Sequence, residues 1–141
     1  MTANIDEIYN MLSWDNEISI QNIGIQEAEK IKSLWVLIMP LLSNNSKSIW
    51  ENCAKVLVKK SDFELKPYLT QLLKWLQDMN WPGSELIYNR LLEFPISEIE
   101  HPLKICLSLA NNINDIPWVS ALTAFESDLT RRQGTVPCVD G

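Results

Sequence analysis

Apolar residues recur every three or four positions along most of this 141-residue chain. Such spacing is typical of one face of an α-helix, which turns once in about 3.6 residues. Nowhere does the sequence show the sustained alternation of apolar and polar residues that a half-buried strand requires. The spacing therefore predicts an all-α fold with helix in well over half of the chain, against about one third in an average globular protein.

Turn and capping signals divide this pattern into helices. Ser61 followed by Glu64 forms a capping box, and Pro67 suits the first turn of the next helix. Pro102 is expected to open a very apolar helix, and the helix after it carries a clear apolar stripe of Trp118, Leu122, Phe125 and Leu129. Paired helices are thus predicted over residues 5–32, 34–59, 66–94 and 102–129.

Helical pairs at roughly 30 to 40 residues are the spacing of helical-hairpin repeats, in which each unit buries its apolar face by stacking on its neighbours. The spacing predicts a short right-handed α-solenoid, with an irregular helical bundle as the alternative, because no residue signature repeats with the period. A single helical repeat domain is expected over residues 1–130. Residues 131–141 show no helical stripe and are expected to form an extended or mobile C-terminal tail.

The second predicted helix contains two small residues in its stripe. Gly24 and Ala28 lie there between larger residues, and a neighbouring helix can approach closely where side chains are small. The stripe expected to face the core is Ile20, Gly24, Ala28, Ile31 and Trp35.

The charge balance argues against two classes of partner. Twelve basic and eighteen acidic residues give a formal charge of −6, which repels phosphate backbones and anionic lipid surfaces. We therefore expect no nucleic acid and no membrane partner. The N-terminus is acidic and no apolar run is long enough to span a bilayer, so a soluble cytoplasmic protein is predicted.

The motifs of familiar chemistries are missing from the sequence. Four glycines form no phosphate-binding loop, and three cysteines with a single histidine form no zinc-ligand set. We expect no catalytic residue, metal or cofactor. Cys53 and Cys106 lie on apolar stripes and are expected to be inert, whereas Cys138 in the tail is the more reactive candidate. His101 follows Glu98 and Glu100 and could act as a general base, but the absence of a readable triad favours an exposed residue at a helix start.

The segment 75–83 joins two predicted helices at a tight turn and reads Trp-Leu-Gln-Asp-Met-Asn-Trp-Pro-Gly. Asn80 is a candidate left-handed C-cap, and the proline at position 82 favours an extended Trp81. Trp75 and Trp81 flank Asp78 and Asn80, which makes the corner a candidate recognition platform. The alternative is structural, with the carboxylate and the amide satisfying backbone groups of the turn, and the turn habits of these residues favour it.

Trp50 and Asn52 form the second candidate binding region, just before the apolar residues Cys53 and Ala54. Buried amides are usually hydrogen-bonded partners, so Asn52 is expected to bridge helices. If Asn52 instead lies near Asp78, the two residues would line a polar pocket between the second and third hairpins.

The corner and its upstream residues resemble a known family. The similarity rests on residues 64–69 and 72–83, on 85–87 and 90–91, and on Ser-Lys-Ser-Ile-Trp-Glu-Asn-Cys-Ala at 46–54. Over about residues 5–95 the chain resembles the bacterial domain of unknown function 5071 family. The resemblance implies a helical, HEAT-like fold and supplies no catalytic residues.

These features predict a non-enzymatic bacterial protein-interaction module with a protein partner. Negative charge would steer it onto a basic partner, and toxin neutralisation is the narrower hypothesis. The alternative is a small-ligand-binding protein or enzyme that uses Glu51, Asp78 and His101 as acid or base groups in one pocket. A third hypothesis, an oligomer-forming adaptor, requires an exposed apolar face, which the apolar helix after Pro102 could supply.

Overall fold

The computed structural model describes residues 3–134. Of these residues, 72% lie in α- or 3₁₀-helix and none in a strand, which confirms the all-α prediction. The α-helices are α1 (Ile5–Leu12), α2 (Ile18–Ala28), α3 (Trp50–Leu57), α4 (Asp62–Leu65), α5 (Leu69–Lys74), α6 (Ser84–Leu91), α7 (Ile96–Asn112) and α8 (Ile116–Gly134). Single turns of 3₁₀-helix span Leu34–Leu37, Ser46–Ile49, Lys66–Tyr68 and Trp75–Gln77.

One continuous hydrophobic core runs through the described part of the chain. Helix α1 packs on α2, α2 on α3 and α3 on α6, while α5 packs on α7 and α7 on α8. The predicted stripe of α8 is buried in full. The bulkiest fully buried side chains are those of Trp75, Trp118, Phe94 and Phe125.

Helices α1 and α2 approach each other closely at Gly24, as predicted. A Cβ at Gly24 would lie 2.8 Å from the Cβ of Met11, so only glycine fits this crossing. Ala28 is buried and Ile31 packs against the core as predicted, whereas Ile20 and Trp35 of the predicted stripe do not face the core. Helix α2 ends at Ala28, Ile20 and Trp35 are exposed, and Gln21 is buried beside Gly24 instead. The contact between Gly24 and Met11 decides which side of α2 faces α1. The spacing of apolar residues in the sequence does not predict that contact.

Three predicted boundaries also differ from the structure. The pair predicted over 34–59 contains only a 3₁₀ turn before residue 46. Helix α7 begins at Ile96 and contains Pro102 in its interior. Proline removes one backbone N–H from the helix, but the buried face of α7 continues past it and keeps the helix intact. Residues 131–134 continue α8. There the side-chain oxygen of Gln133 accepts a hydrogen bond from Ile96 N at 2.9 Å, and its amide nitrogen donates to Phe94 O at 2.7 Å.

The rest of the predicted tail, residues 135–141 with Cys138, lies outside the described residues. The right-handed solenoid stays a prediction, as does the assignment of residues 1–130 to one repeat domain. Three pairs of consecutive helices, α1 with α2, α2 with α3 and α7 with α8, pack together, as the hairpins of a stack would.

Candidate functional site

Three of the predicted binding residues meet in one aromatic cluster at the corner between α5 and α6. The ring of Trp50 stands edge-on to Trp75 at 6.2 Å and to Trp81 at 5.5 Å between centroids. Trp50 and Trp75 are buried, and their indole N–H groups donate to Pro40 O and Pro82 O, both at 2.9 Å. These two tryptophans therefore have their polar atoms satisfied within the protein.

Gly83 is the left-handed residue of the corner. Its φ is +88°, and a Cβ there would lie 2.7 Å from the Cβ of Ala54. Asn80, predicted to hold this conformation, does not, because it is not among the residues with positive φ. Glycine takes the left-handed conformation without the steric cost of a Cβ, and no side chain fits against α3 at this point. The carboxylate of Glu51 in α3 accepts a hydrogen bond from Gly83 N at 2.8 Å.

Asp78 and Asn80 act within the turn itself. The carboxylate of Asp78 accepts from Asn80 N at 2.8 Å, and its backbone oxygen accepts from Trp81 N at 3.0 Å. The side chain of Asn80 is exposed. Ser84, which the sequence did not single out, is fully buried, and its hydroxyl lies 2.9 Å from Trp75 O and 2.8 Å from Asp78 O. The structural interpretation accounts for all of these contacts of Asp78.

Asn52 is buried and joins three helices. Its amide nitrogen donates to Leu12 O at 2.8 Å and to the side-chain oxygen of Gln21 at 2.9 Å. Gln21 in turn donates to Asn16 O at 2.8 Å. The partners of Asn52 belong to α1 and α2, whereas those of Asp78 belong to its own turn and to the start of α6. The structure thus gives Asn52 its predicted bridging role and does not bring the two residues into a common polar contact.

Trp81 is the tryptophan of the cluster that reaches the surface. It is half-buried, and Lys47 Nζ lies 5.6 Å from its ring centroid. A cation over an indole face is an attractive arrangement. Of the three clustered rings, this one is available to a ligand.

The predicted acid and base groups do not line one pocket. The carboxylate of Glu51 is hydrogen-bonded to Gly83 at the corner. His101 is exposed on α7 and lines an open groove of about 520 Å³ together with Lys104 and Leu109. The described lining of that groove contains no carboxylate. Within residues 3–134 no group of three or more His, Cys, Asp or Glu residues is placed to hold a metal.

Both described cysteines are buried, in agreement with the prediction. Desolvation by burial raises the pKa of Cys53 to about 12 and that of Cys106 to about 11. The thiolate is the reactive form of cysteine, so neither side chain is suited to nucleophilic chemistry in the folded protein.

Helix α7 has a second apolar stripe that faces outward. On one side it buries Ile99, Leu103, Cys106 and Ala110. The other side exposes 44% of Ile105, 37% of Leu109 and 55% of Ile113, and Ile116 at the start of α8 is 71% exposed. Ile105, Leu109 and the C-terminal cap residue Ile113 follow one another at four-residue spacing and so form one ridge, which we call the α7 ridge.

The fold and these contacts define an all-α protein whose aromatic corner is held mainly by internal bonds. The chain belongs to the family described as Domain of unknown function (DUF5071), whose model matches residues 51–135. This confirms the predicted resemblance to the family, and the match, which begins at Glu51, extends beyond residue 95 to include α7 and α8. Comparisons with curated proteins and with solved structures give no match. No helix in the described part of the chain is long and apolar enough to cross a membrane.

Proposed function

We propose that this protein is a non-enzymatic protein-interaction module and that the α7 ridge is its binding surface. The observation that carries the proposal is the exposure of Ile105, Leu109 and Ile113 along the flank of a helix whose buried stripe is already packed in the core. The ridge is not required to complete the fold. Exposed apolar patches of this kind mark protein interaction surfaces more often than solitary apolar residues do.

The charges around the α7 ridge support a protein partner. The ridge residues carry no charge, and the nearby charges of Glu100 and Lys104 form an ion pair at 3.8 Å. The whole protein carries a net charge of −6. This face is close to neutral, so it repels an acidic protein partner less than the acidic remainder of the surface does. Apolar residues in the centre of such a patch can supply most of the binding free energy.

A basic partner, as in toxin neutralisation in the bacterial cytoplasm, is the narrower form of this proposal. Its support is the net charge together with exposed carboxylates on and near α6, at Glu85 and Glu93, and on α7 at Glu100. Glu98 of α7 is half-buried and does not belong to this group. Such charges would raise the association rate with a basic protein, and raising the salt concentration would lower that rate.

A small-ligand or enzymatic role near Asp78 has less support. The carboxylate of Asp78 is engaged in its own turn, and His101 lies on a separate face of the molecule. A general base needs hydrogen-bonding reach to the proton that it removes and a partner that orients it.

The experiment uses the full chain as bait in cells that produce it, followed by affinity measurement with the purified partner. The Leu109→Glu/Ile113→Glu double variant should lose the partner, because charges would be buried in the contact. The matched control is Ile18→Glu/Ile23→Glu on the exposed side of α2, which should retain it. Circular dichroism checks that both variants fold. An α7 variant that binds with wild-type affinity would refute the proposed surface.

A second measurement tests the narrower form with the same purified partner. We expect Glu85→Lys to slow association, and added salt to slow it for the wild-type protein, while dissociation changes little. A salt-insensitive association rate would argue against a basic partner and would leave the α7 ridge to be judged by the first experiment.

A further inference from the structure

A second groove is separate from the groove along α7. It has a volume of about 520 Å³ and opens between the segment after α2 and the turn formed by α4 with the following 3₁₀-helix. It shares no lining residue with the groove along α7. Its lining is largely apolar but includes two lysines, and we call it the lysine groove. Six of its residues are Lys32, Leu34, Phe63, Lys66, Pro67 and Tyr68.

Phe63 is held at the rim of the lysine groove with 86% of its surface exposed. The turn that carries it is fixed by a capping box, in which Ser61 Oγ accepts from Glu64 N at 3.1 Å and Glu64 Oε1 accepts from Ser61 N at 3.0 Å. The guanidinium group of Arg90 also donates to the carboxylate of Asp62, the residue before Phe63, at 2.7 Å. The backbone on both sides of Phe63 is therefore tied down, which keeps the ring in solvent.

The lysine groove is locally positive, although the chain as a whole carries a charge of −6. Lys32 and Lys66 line it and form no ion pair with any residue between 3 and 134. Asp62 pairs with Arg90, which also lies 3.5 Å from Glu93, and neither of these carboxylates lines the groove. Glu64 is the one acidic residue in the lining, and its carboxylate already accepts hydrogen bonds from Ser61.

A further lysine lies close to this groove. The pKa of Glu64 is lowered chiefly by its hydrogen bonds with Ser61, and the charges of Lys60 and Lys32 lower it further. Both ammonium groups are thus near enough to act on that carboxylate. Lys60 also donates to Glu29 O at 2.8 Å, which holds it in place.

We propose that the lysine groove binds an acidic peptide segment of a protein partner, with one apolar residue of that segment packed against Phe63. Carboxylates of the segment pair with Lys32 and Lys66, and the apolar residue covers a ring that the fold leaves in water. This combination of exposed aromatic surface and unpaired lysines matches an amphipathic acidic peptide better than a purely ionic ligand. The inference goes beyond the function proposed for the α7 ridge, because the charge of the ligand is opposite and the surface is separate.

Single-stranded nucleic acid also combines phosphates with bases that stack on aromatic rings. The acidic remainder of this protein repels an extended polyanion, whereas a short peptide segment contacts the groove alone. The structure therefore favours the peptide.

The test is selection of a random-peptide display library on the immobilised full chain. The enriched peptides should carry acidic residues around an apolar or aromatic one. The same selection is run on Lys32→Glu/Lys66→Glu, on Phe63→Ala, and on the control Lys55→Glu/Arg132→Glu, whose basic residues are exposed outside the groove lining. All the substituted residues are exposed, and thermal melting checks that each variant folds.

A selected peptide is then synthesised with a fluorescent label and measured by anisotropy. Lys32→Glu/Lys66→Glu should weaken its binding by about tenfold or more and remove most of its salt dependence, Phe63→Ala should weaken it without changing the salt dependence, and the control should bind as the wild type does. Enriched peptides without an acidic bias, or equal binding by the charge-reversed variant, would overturn the proposal. Tighter binding of oligouridine or of anionic vesicles through the same lysines would overturn it in favour of nucleic acid or membrane.

Discussion

The carboxylate of Glu51 in α3 accepts a hydrogen bond from the backbone N–H of Gly83, 32 residues further along the chain, at 2.8 Å. Gly83 precedes the first residue of α6, so this bond ties the turn between α5 and α6 to the side of α3. A carboxylate that accepts from a backbone N–H at a helix start also interacts favourably with the positive end of the helix dipole. The bond therefore fixes the position of the corner against α3.

Gly83→Ala should destabilise the protein by about 2 to 5 kcal/mol, the sum of a left-handed alanine and overpacking against α3. The added Cβ would lie 2.7 Å from the Cβ of Ala54 and 3.0 Å from Trp50 O. Urea unfolding measures the loss in the free energy of unfolding. Ser127→Ala, at an exposed position of α8, is the control and should change it little. A Gly83→Ala variant as stable as the wild type would mean that the corner tolerates a side chain.

The sequence predicts the helices of this protein better than their mutual arrangement. Stripes such as that of α8 are set by a local period, which the sequence carries directly. The outward rotation of Ile20 depends on how closely Met11 approaches Gly24, and the bond of Glu51 depends on a residue in a distant turn. Such contacts between distant segments leave no periodic signal.

The difference between local signals and contacts of distant segments also explains which parts of the candidate site were predicted correctly. The turn role of Asp78 follows from local chemistry and was predicted as the favoured alternative. The aromatic contacts of Trp50 with Trp75 and Trp81 join different helices and could not be read from the chain. The lysine groove was missed because Lys32 and Lys66 come from separate segments.

Asn52 and Gln21 should be energetically coupled. Asn52→Ala leaves the oxygen of Leu12 and the side chain of Gln21 without their buried donor, at a cost of about 1 to 3 kcal/mol. A double-mutant cycle with Gln21→Ala isolates the interaction, and the two losses should add to more than the loss of the double variant. Strict additivity in urea unfolding would show that the side-chain bond contributes nothing. Asn22→Ala, at an exposed position of α2, is the matched amide control.

Trp75 and Trp81 should differ sharply in their contribution to stability. Trp75→Ala removes a fully buried ring and should cost about 3 to 5 kcal/mol, whereas Trp81→Ala removes a half-buried ring and should cost about 1 to 2 kcal/mol. Thermal and urea unfolding compare the two variants. Equal losses would mean that Trp81 is as essential to the core as Trp75, and the surface role suggested by its contact with Lys47 would then be withdrawn.

The buried thiols should be unreactive while the protein is folded. Burial raises the pKa of Cys53 to about 12, so at about pH 8 its side chain is almost entirely the unreactive thiol. The measurement uses a Cys138→Ser variant and a chromogenic disulfide reagent. We expect no rapid reaction of Cys53 or Cys106 in buffer and complete reaction in urea. Rapid reaction without denaturant would show that the core around these residues opens readily.

Glu64 should make a measurable contribution to the acid sensitivity of the fold. Its hydrogen bonds with Ser61 hold its pKa below the ordinary value of 4.5, so the folded state binds this proton more weakly than the unfolded chain does. The stabilisation is complete above the unfolded pKa and is lost as the pH falls through the folded pKa.

The variant that tests this is Glu64→Gln, which keeps a capping side chain without a titrating group. Its melting temperature should fall less steeply than that of the wild type between about pH 5 and about pH 3, since it has no proton to gain there. Glu126→Gln, at an exposed position of α8, is the control and should follow the wild-type curve more closely. If Glu64→Gln and the wild type lose stability with the same slope, the capping box does not depend on the charge of Glu64. The rim of the lysine groove would then be held by Arg90 and Asp62 instead.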